Sequence, residues 1–104
     1  MRAIEIAVIE DNPADVEWLE TVLNEVGLEH HFTLAGDGAQ AVECLRREGS
    51  YASAPVPDLV LLDMHLPKFG GVEILKRVPD ASHLPICVLT RVRAMPNRKA
   101  LRRR

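Results

Sequence analysis

Residues 59–71 read LVLLDMHLPKFGG, an apolar run that ends on one acid, Asp63, and then breaks into a Pro/Gly turn. An earlier run, IEIAVIED over residues 4–11, also ends on acids, Glu10 and Asp11. In an open parallel α/β sheet, neighbouring strands discharge their C-terminal ends into one crevice, where ligands bind. Two strands ending in carboxylates there would set three acids side by side. At an effective dielectric near 20, two charges ~5 Å apart repel by roughly 3 kcal/mol. A fold keeps such a cluster when a hard cation neutralises it, and oxygen-only ligands suit Mg²⁺.

Outward from these two runs, strand and helix signals alternate. Ile4, Ile6, Val8 and Ile9 form a compact run typical of a strand buried on both faces. Asn12-Pro13 marks a turn with proline at a helix start, and Val16, Leu19, Leu23 and Val26 follow at spacings of three and four up to Gly27. His31 to Ala35 reads as a short strand. Asp37-Gly38 opens a second helix carrying Ala41, Val42 and Leu45, and Gly49 to Pro57 is a turn-rich connection. Leu59 to Leu62 is a central strand, Gly71 to Val78 a third helix, and Pro85 to Thr90 a fourth strand. The order βαβαβαβ predicts a parallel sheet with helices on both faces.

At 104 residues and 47% apolar content the chain suits one small globular core. No apolar stretch approaches the ~20 residues that span a bilayer, and the N-terminus lacks a signal-peptide pattern. A cytoplasmic protein is expected, with Cys44 and Cys87 as buried free thiols. Seven of the 13 basic residues lie in residues 91–104 and none of the 15 acids does. Residues 1–90 thus carry about −9 and the tail about +7, two differently made pieces meeting near Thr90. Seven cations could release counterions from nucleic-acid phosphates, but no aromatic interleaving or reading motif accompanies them. Nucleic-acid binding is not expected.

Glu10-Asp11-Asn12-Pro13, the LVLLD run at Asp63, Leu66-Pro67, Gly71 and the PICVLT strand ending at Thr90 resemble a response-regulator receiver domain. The resemblance runs through residues 3–90 and implies a flavodoxin-like, doubly wound sheet of strand order 2-1-3-4. The long connection from Gly49 to Pro57 is similar to receivers that accompany bacterial phytochrome-type histidine kinases. By this resemblance Asp63 accepts a phosphoryl group from a sensor histidine kinase. Glu10, Asp11 and Asp63 hold Mg²⁺ with the backbone carbonyl of His65. Thr90 hydrogen-bonds the phosphoryl oxygen and pulls its strand end toward the site. His65 also stands two positions after Asp63, where receivers vary a residue affecting dephosphorylation. Such a chain catalyses its own phosphotransfer and dephosphorylation and is not a conventional enzyme. The alternative is a pseudo-receiver that acts only as a protein-interaction module.

Other residues receive plainer readings. Asp15 is expected to begin the first helix and favour its dipole, with no part in metal binding. Trp18 is expected on an exposed or half-exposed side of that helix. His30, His31 and His83 lack metal-ligand spacing with the cysteines and read as solvated. Gly36-Asp37-Gly38-Ala39-Gln40-Ala41 fits a dinucleotide fingerprint, yet it follows the second strand and Asp58 precedes a strand, so nucleotide binding is not expected.

The pattern fails beyond Thr90. Receivers continue with a helix, a fifth strand bearing a phosphoryl-pairing lysine, and a fifth helix. Here RVRAMPNRKALRRR follows, so the fifth strand and helix are expected to be missing. Lys68 does not correspond to that lysine, and Arg91 departs from the small residue the family favours. A fourth strand without an outer neighbour would recruit a second copy, so a homodimer is expected through it.

Overall fold

The apolar run Ile4–Ile9 forms strand β1, and its alternating side chains feed two separate cores. The computed structural model describes residues 3–63, 66, 70–78 and 84–89. After β1 come helix α1 (Pro13–Glu25), β2 (His30–Ala35), α2 (Gly38–Arg46) and a single 3-10 turn at Gly49–Tyr51. β3 (Leu59–Asp63), α3 (Gly71–Arg77) and β4 (Ile86–Leu89) complete the order. All strand pairs are parallel, as the βαβ pattern predicts, and the sheet order is β2-β1-β3-β4, as the receiver resemblance implies.

Handedness explains where the helices lie. β1 to β2 steps one way along the sheet, whereas β2 to β3 and β3 to β4 step the other way. Right-handed crossovers then force α1 onto one face and α2 and α3 onto the other. Ile6, Val8 and Leu61 accordingly pack with Val16, Leu19 and Leu23 of α1. Ala7, Ile9, Val60 and Leu62 pack with Ala41 and Cys44 of α2 and Ile74 of α3. Burial pushes the Cys44 thiol pKa up, which keeps it protonated and inert.

Turn chemistry sets the element ends. Pro13 occupies the first helical position of α1 after the cap at Asn12. Gly27, at φ +76°, turns the chain out of the helix. Val26, which the spacing assigns to the apolar stripe, is instead 70% exposed. It is the C-cap, past the last helical turn, and so leaves the buried face. Trp18 is half-buried, as expected.

Two thiol and histidine expectations need correction. Cys44 is buried but Cys87, also free, is exposed: it stands opposite Leu61 of β3 yet lies outside the cluster that α1 packs onto that face. His30 is not solvated: its side chain is 5% exposed and its Nε2 meets Glu20 Oε2 at 2.6 Å. The carbonyl of Leu28 lies at 2.8 Å on its other ring nitrogen. His31 is exposed, with Nδ1 3.0 Å from Glu5 Oε2. His83 lies outside the described residues. Among the described residues no helix is long and apolar enough to cross a membrane.

Candidate functional site

The site begins with register. At the N-terminal ends of β1 and β3, Glu5 N–H donates to Asp58 Oδ2 at 2.9 Å and Asp58 N–H donates to the Glu5 carbonyl at 2.7 Å. From that clamp the strands run in step, Ile6 opposite Leu59 and Ile9 opposite Leu62. One residue further, Glu10 just past β1 and Asp63 at the end of β3 stand level with each other. Glu10 N–H also donates to the Ala35 carbonyl of β2 at 3.0 Å, so its backbone is held from the other side. The order of the strands reverses between β1 and β3, and ligands bind at that switch point, outside the strand ends.

The three acids of the sequence reading meet there. One carboxylate oxygen from each of Glu10, Asp11 and Asp63 lies within 4.8 Å of the others. Asp63 is fully buried and Glu10 is 7% exposed, whereas Asp11 faces solvent. The cluster is thus a cup with two buried walls and one wet rim. All donors are hard carboxylate oxygens at a spacing one small ion can bridge, which fits Mg²⁺ and suits soft-ligand metals poorly. In this low-dielectric setting the repulsion among the acids is strengthened, and a cation entering from the rim relieves it.

Asn12, which the sequence places in the turn before the first helix, both caps that helix and touches an acid of the cluster. Its Oδ1 accepts from Ala14 N–H at 2.9 Å, and its own N–H donates to Glu10 Oε2 at 3.2 Å. Asp15 sits in the first turn of α1 as expected and is buried, outside the acid cluster. Leu66 is buried in the α2–α3 core. His65, Lys68, Thr90 and the 91–104 tail lie outside the described residues, as does any contribution of theirs to the site.

The glycine-rich decoy resolves into a helix cap. Asp37 accepts from Gln40 N–H at 2.8 Å, and Gln40 Oε1 in turn accepts from Gly36 N–H at 3.0 Å. That loop amide is occupied by a side chain of its own helix, so it is not free to cradle a phosphate.

A family described as the response regulator receiver domain matches residues 6–103, past Thr90 and across the segment that charge sets apart. Response regulator Rcp1 of Synechocystis is 38% identical over 88 residues, 82% of this chain, and the chain spans about 60% of that relative's length. The crystal structure of the phosphorylated cyanobacterial phytochrome response regulator RcpA superposes with a TM-score of 0.75 at 35% identity, covering 96% of this chain and 71% of that one. The Mn²⁺-bound form of Rcp1 gives 0.74 at 34%, covering 93% and 70%. A match across nearly every residue, on a 2-1-3-4 sheet whose acids gather at its switch point, makes this chain a member of the response-regulator receiver-domain family.

Proposed function

We propose that the chain receives a phosphoryl group on Asp63 from the phosphohistidine of a sensor histidine kinase, in a Mg²⁺-dependent reaction. The observation that carries this reading is the buried Asp63 carboxylate held within 4.8 Å of Glu10 and Asp11 at the sheet's switch point. Carboxylate attack on phosphorus needs in-line placement and charge neutralisation more than it needs a base. β3 supplies the placement, since a side chain at the end of a central strand has little freedom to wander. Glu10, Asp11 and Asp63, with the His65 carbonyl, would hold the Mg²⁺, whose charge offsets both the carboxylates and the incoming phosphoryl oxygens. Thr90 would hydrogen-bond the new phosphoryl group. The solved relatives that carry a phosphate or Mn²⁺ support the same chemistry here.

The partner by this reading is a histidine kinase of the phytochrome-associated kind, given the resemblance to Rcp1 and RcpA. The two-piece division at residue 90 stands as a reading of charge. A homodimer through β4 stands as a proposal too, since Cys87 is exposed on a strand paired, among the described residues, only with β3. Light scattering of the intact chain checks it.

Incubation with acetyl phosphate and Mg²⁺ tests the function. The wild type should acquire an acyl phosphate that EDTA prevents and Asp63→Asn abolishes. A chain that binds Mg²⁺ but never labels, from acetyl phosphate or a phosphorylated kinase, would be a module acting by binding alone.

A further inference from the structure

We propose that Asn12 is a positioning residue of the acidic centre, fixing the Glu10 carboxylate before a cation arrives; this rests on the Mg²⁺ reading above. Glu10 differs from Asp11 and Asp63 by a methylene, so its carboxylate has one more torsion to lose on binding a metal. Left free, that side chain could swing away from the cup. The structure restrains it: Asn12 N–H donates to Glu10 Oε2 at 3.2 Å. The bond uses part of the carboxylate's acceptor capacity, and one oxygen of the same carboxylate lies within 4.8 Å of Asp11 and Asp63 oxygens.

The amide is aimed by the side chain of the same residue. Asn12 Oδ1 accepts from Ala14 N–H at 2.9 Å, with Asn12 itself in an extended conformation and Pro13 locking the next residue. Two carbonyl bonds complete the turn, from Asp15 N–H and Val16 N–H to the Asn12 carbonyl. The start of α1 is therefore one rigid piece, and Glu10 is tied to it. Groups that orient metal ligands in this way typically change metal affinity by about 10–100-fold when lost.

Calorimetric titration of the intact chain with Mg²⁺ alone tests the assignment, alongside melts in EDTA. Asn12→Ala, and Asn12→Gly as a milder cap loss, should weaken Mg²⁺ binding roughly 10-fold. Asn12→Ser keeps a capping oxygen and should bind like the wild type. Gly27→Ala strains the far end of the same helix at φ +76°, so it should lower the melting temperature without touching the affinity. In a Glu10→Ala background, Asn12→Ala should cost no further affinity. If Asn12→Ala melts lower but binds Mg²⁺ as the wild type does, or if Asn12→Ser is as weak as the alanine, Asn12 is a helix cap and no more. A wild type that takes up no Mg²⁺ at all would instead overturn the metal reading, and this assignment with it.

Discussion

Asp58 and Glu5 hold each other by two hydrogen bonds, at 2.9 and 2.7 Å, across the ends of β3 and β1 furthest from the acids. That clamp sets which residue of β3 faces which residue of β1, and so whether Glu10 and Asp63 arrive level. A slip of one residue would turn the side chains of β3 to the opposite faces. Asp58→Ala leaves the Glu5 amide without its side-chain acceptor and should cost about 1–3 kcal/mol in urea unfolding. Asp58→Asn keeps an acceptor and should lose less. Equal losses for the two variants would mean that the carboxylate's charge, not its hydrogen bond, holds the ends together.

Relief of repulsion within the acid cup should be measurable without any metal. Asp11 is the exposed member, so screening trims its share of the repulsion, and Asp11→Asn should stabilise the metal-free chain by about 1 kcal/mol. For a domain of this size that is a rise of ~4–8 °C in melting temperature. The wild type should gain roughly 2.7 kcal/mol from Mg²⁺ at 100 times its dissociation constant, and Asp11→Asn should gain less at the same concentration. Identical Mg²⁺ responses in the two proteins would remove Asp11 from the site.

The connection between α2 and β3 contains a glycine that both its backbone and a neighbouring side chain favour. Gly49 has φ +57°, and a Cβ there would meet Glu43 Oε2 at 3.1 Å. Gly27 has φ +76° but open space around it. Backbone strain alone costs roughly 1–2 kcal/mol for a non-glycine residue in this region. Gly49→Ala should therefore destabilise more than Gly27→Ala, and thermal melts of the two variants compare them directly. The reverse order would show that Glu43 swings aside freely.

Much of this molecule is written in local pattern. The compact apolar runs at Ile4–Ile9 and Leu59–Asp63 declare strands covered on both faces, and the acids that end them mark the crevice. Asn12-Pro13 and Asp37-Gly38 declare helix starts, and both function as caps. What escaped the sequence depends on contacts between distant segments. His30 looks like a surface histidine until α1 brings Glu20 over it. Cys87 reads as buried because an apolar strand is usually covered, whereas the packing of α1 onto that face stops short of it. Asn12 is legible as a cap, but its grip on Glu10 appears only when the turn is built in three dimensions.

His30 gives the chain a pH dependence whose sign follows from its hydrogen bonds. Nε2 lies 2.6 Å from Glu20 Oε2 and Nδ1 lies 2.8 Å from the Leu28 carbonyl, so both ring nitrogens face acceptors. Neutral imidazole carries one N–H and can satisfy only one of them, whereas imidazolium satisfies both. The Leu28 carbonyl first, then the Glu20 carboxylate, raise the pKa above its ordinary 6.5, against the opposing pull of desolvation. Phe32, with its ring centroid 4.9 Å away, packs beside the imidazole and carries no charge. Because the folded-state pKa is the higher one, the stabilisation is fully present below pH 6.5 and is lost as pH rises through the folded value. The unfolding free energy of the wild type minus that of His30→Gln should thus be largest near pH 5.5 and shrink by about pH 8.5. Urea titrations of both proteins across that range measure the difference, and the imidazole proton shifts in NMR give the pKa itself. A difference that stays flat, or grows with pH, would show that His30 is held neutral and that the contact with Glu20 is an ordinary hydrogen bond.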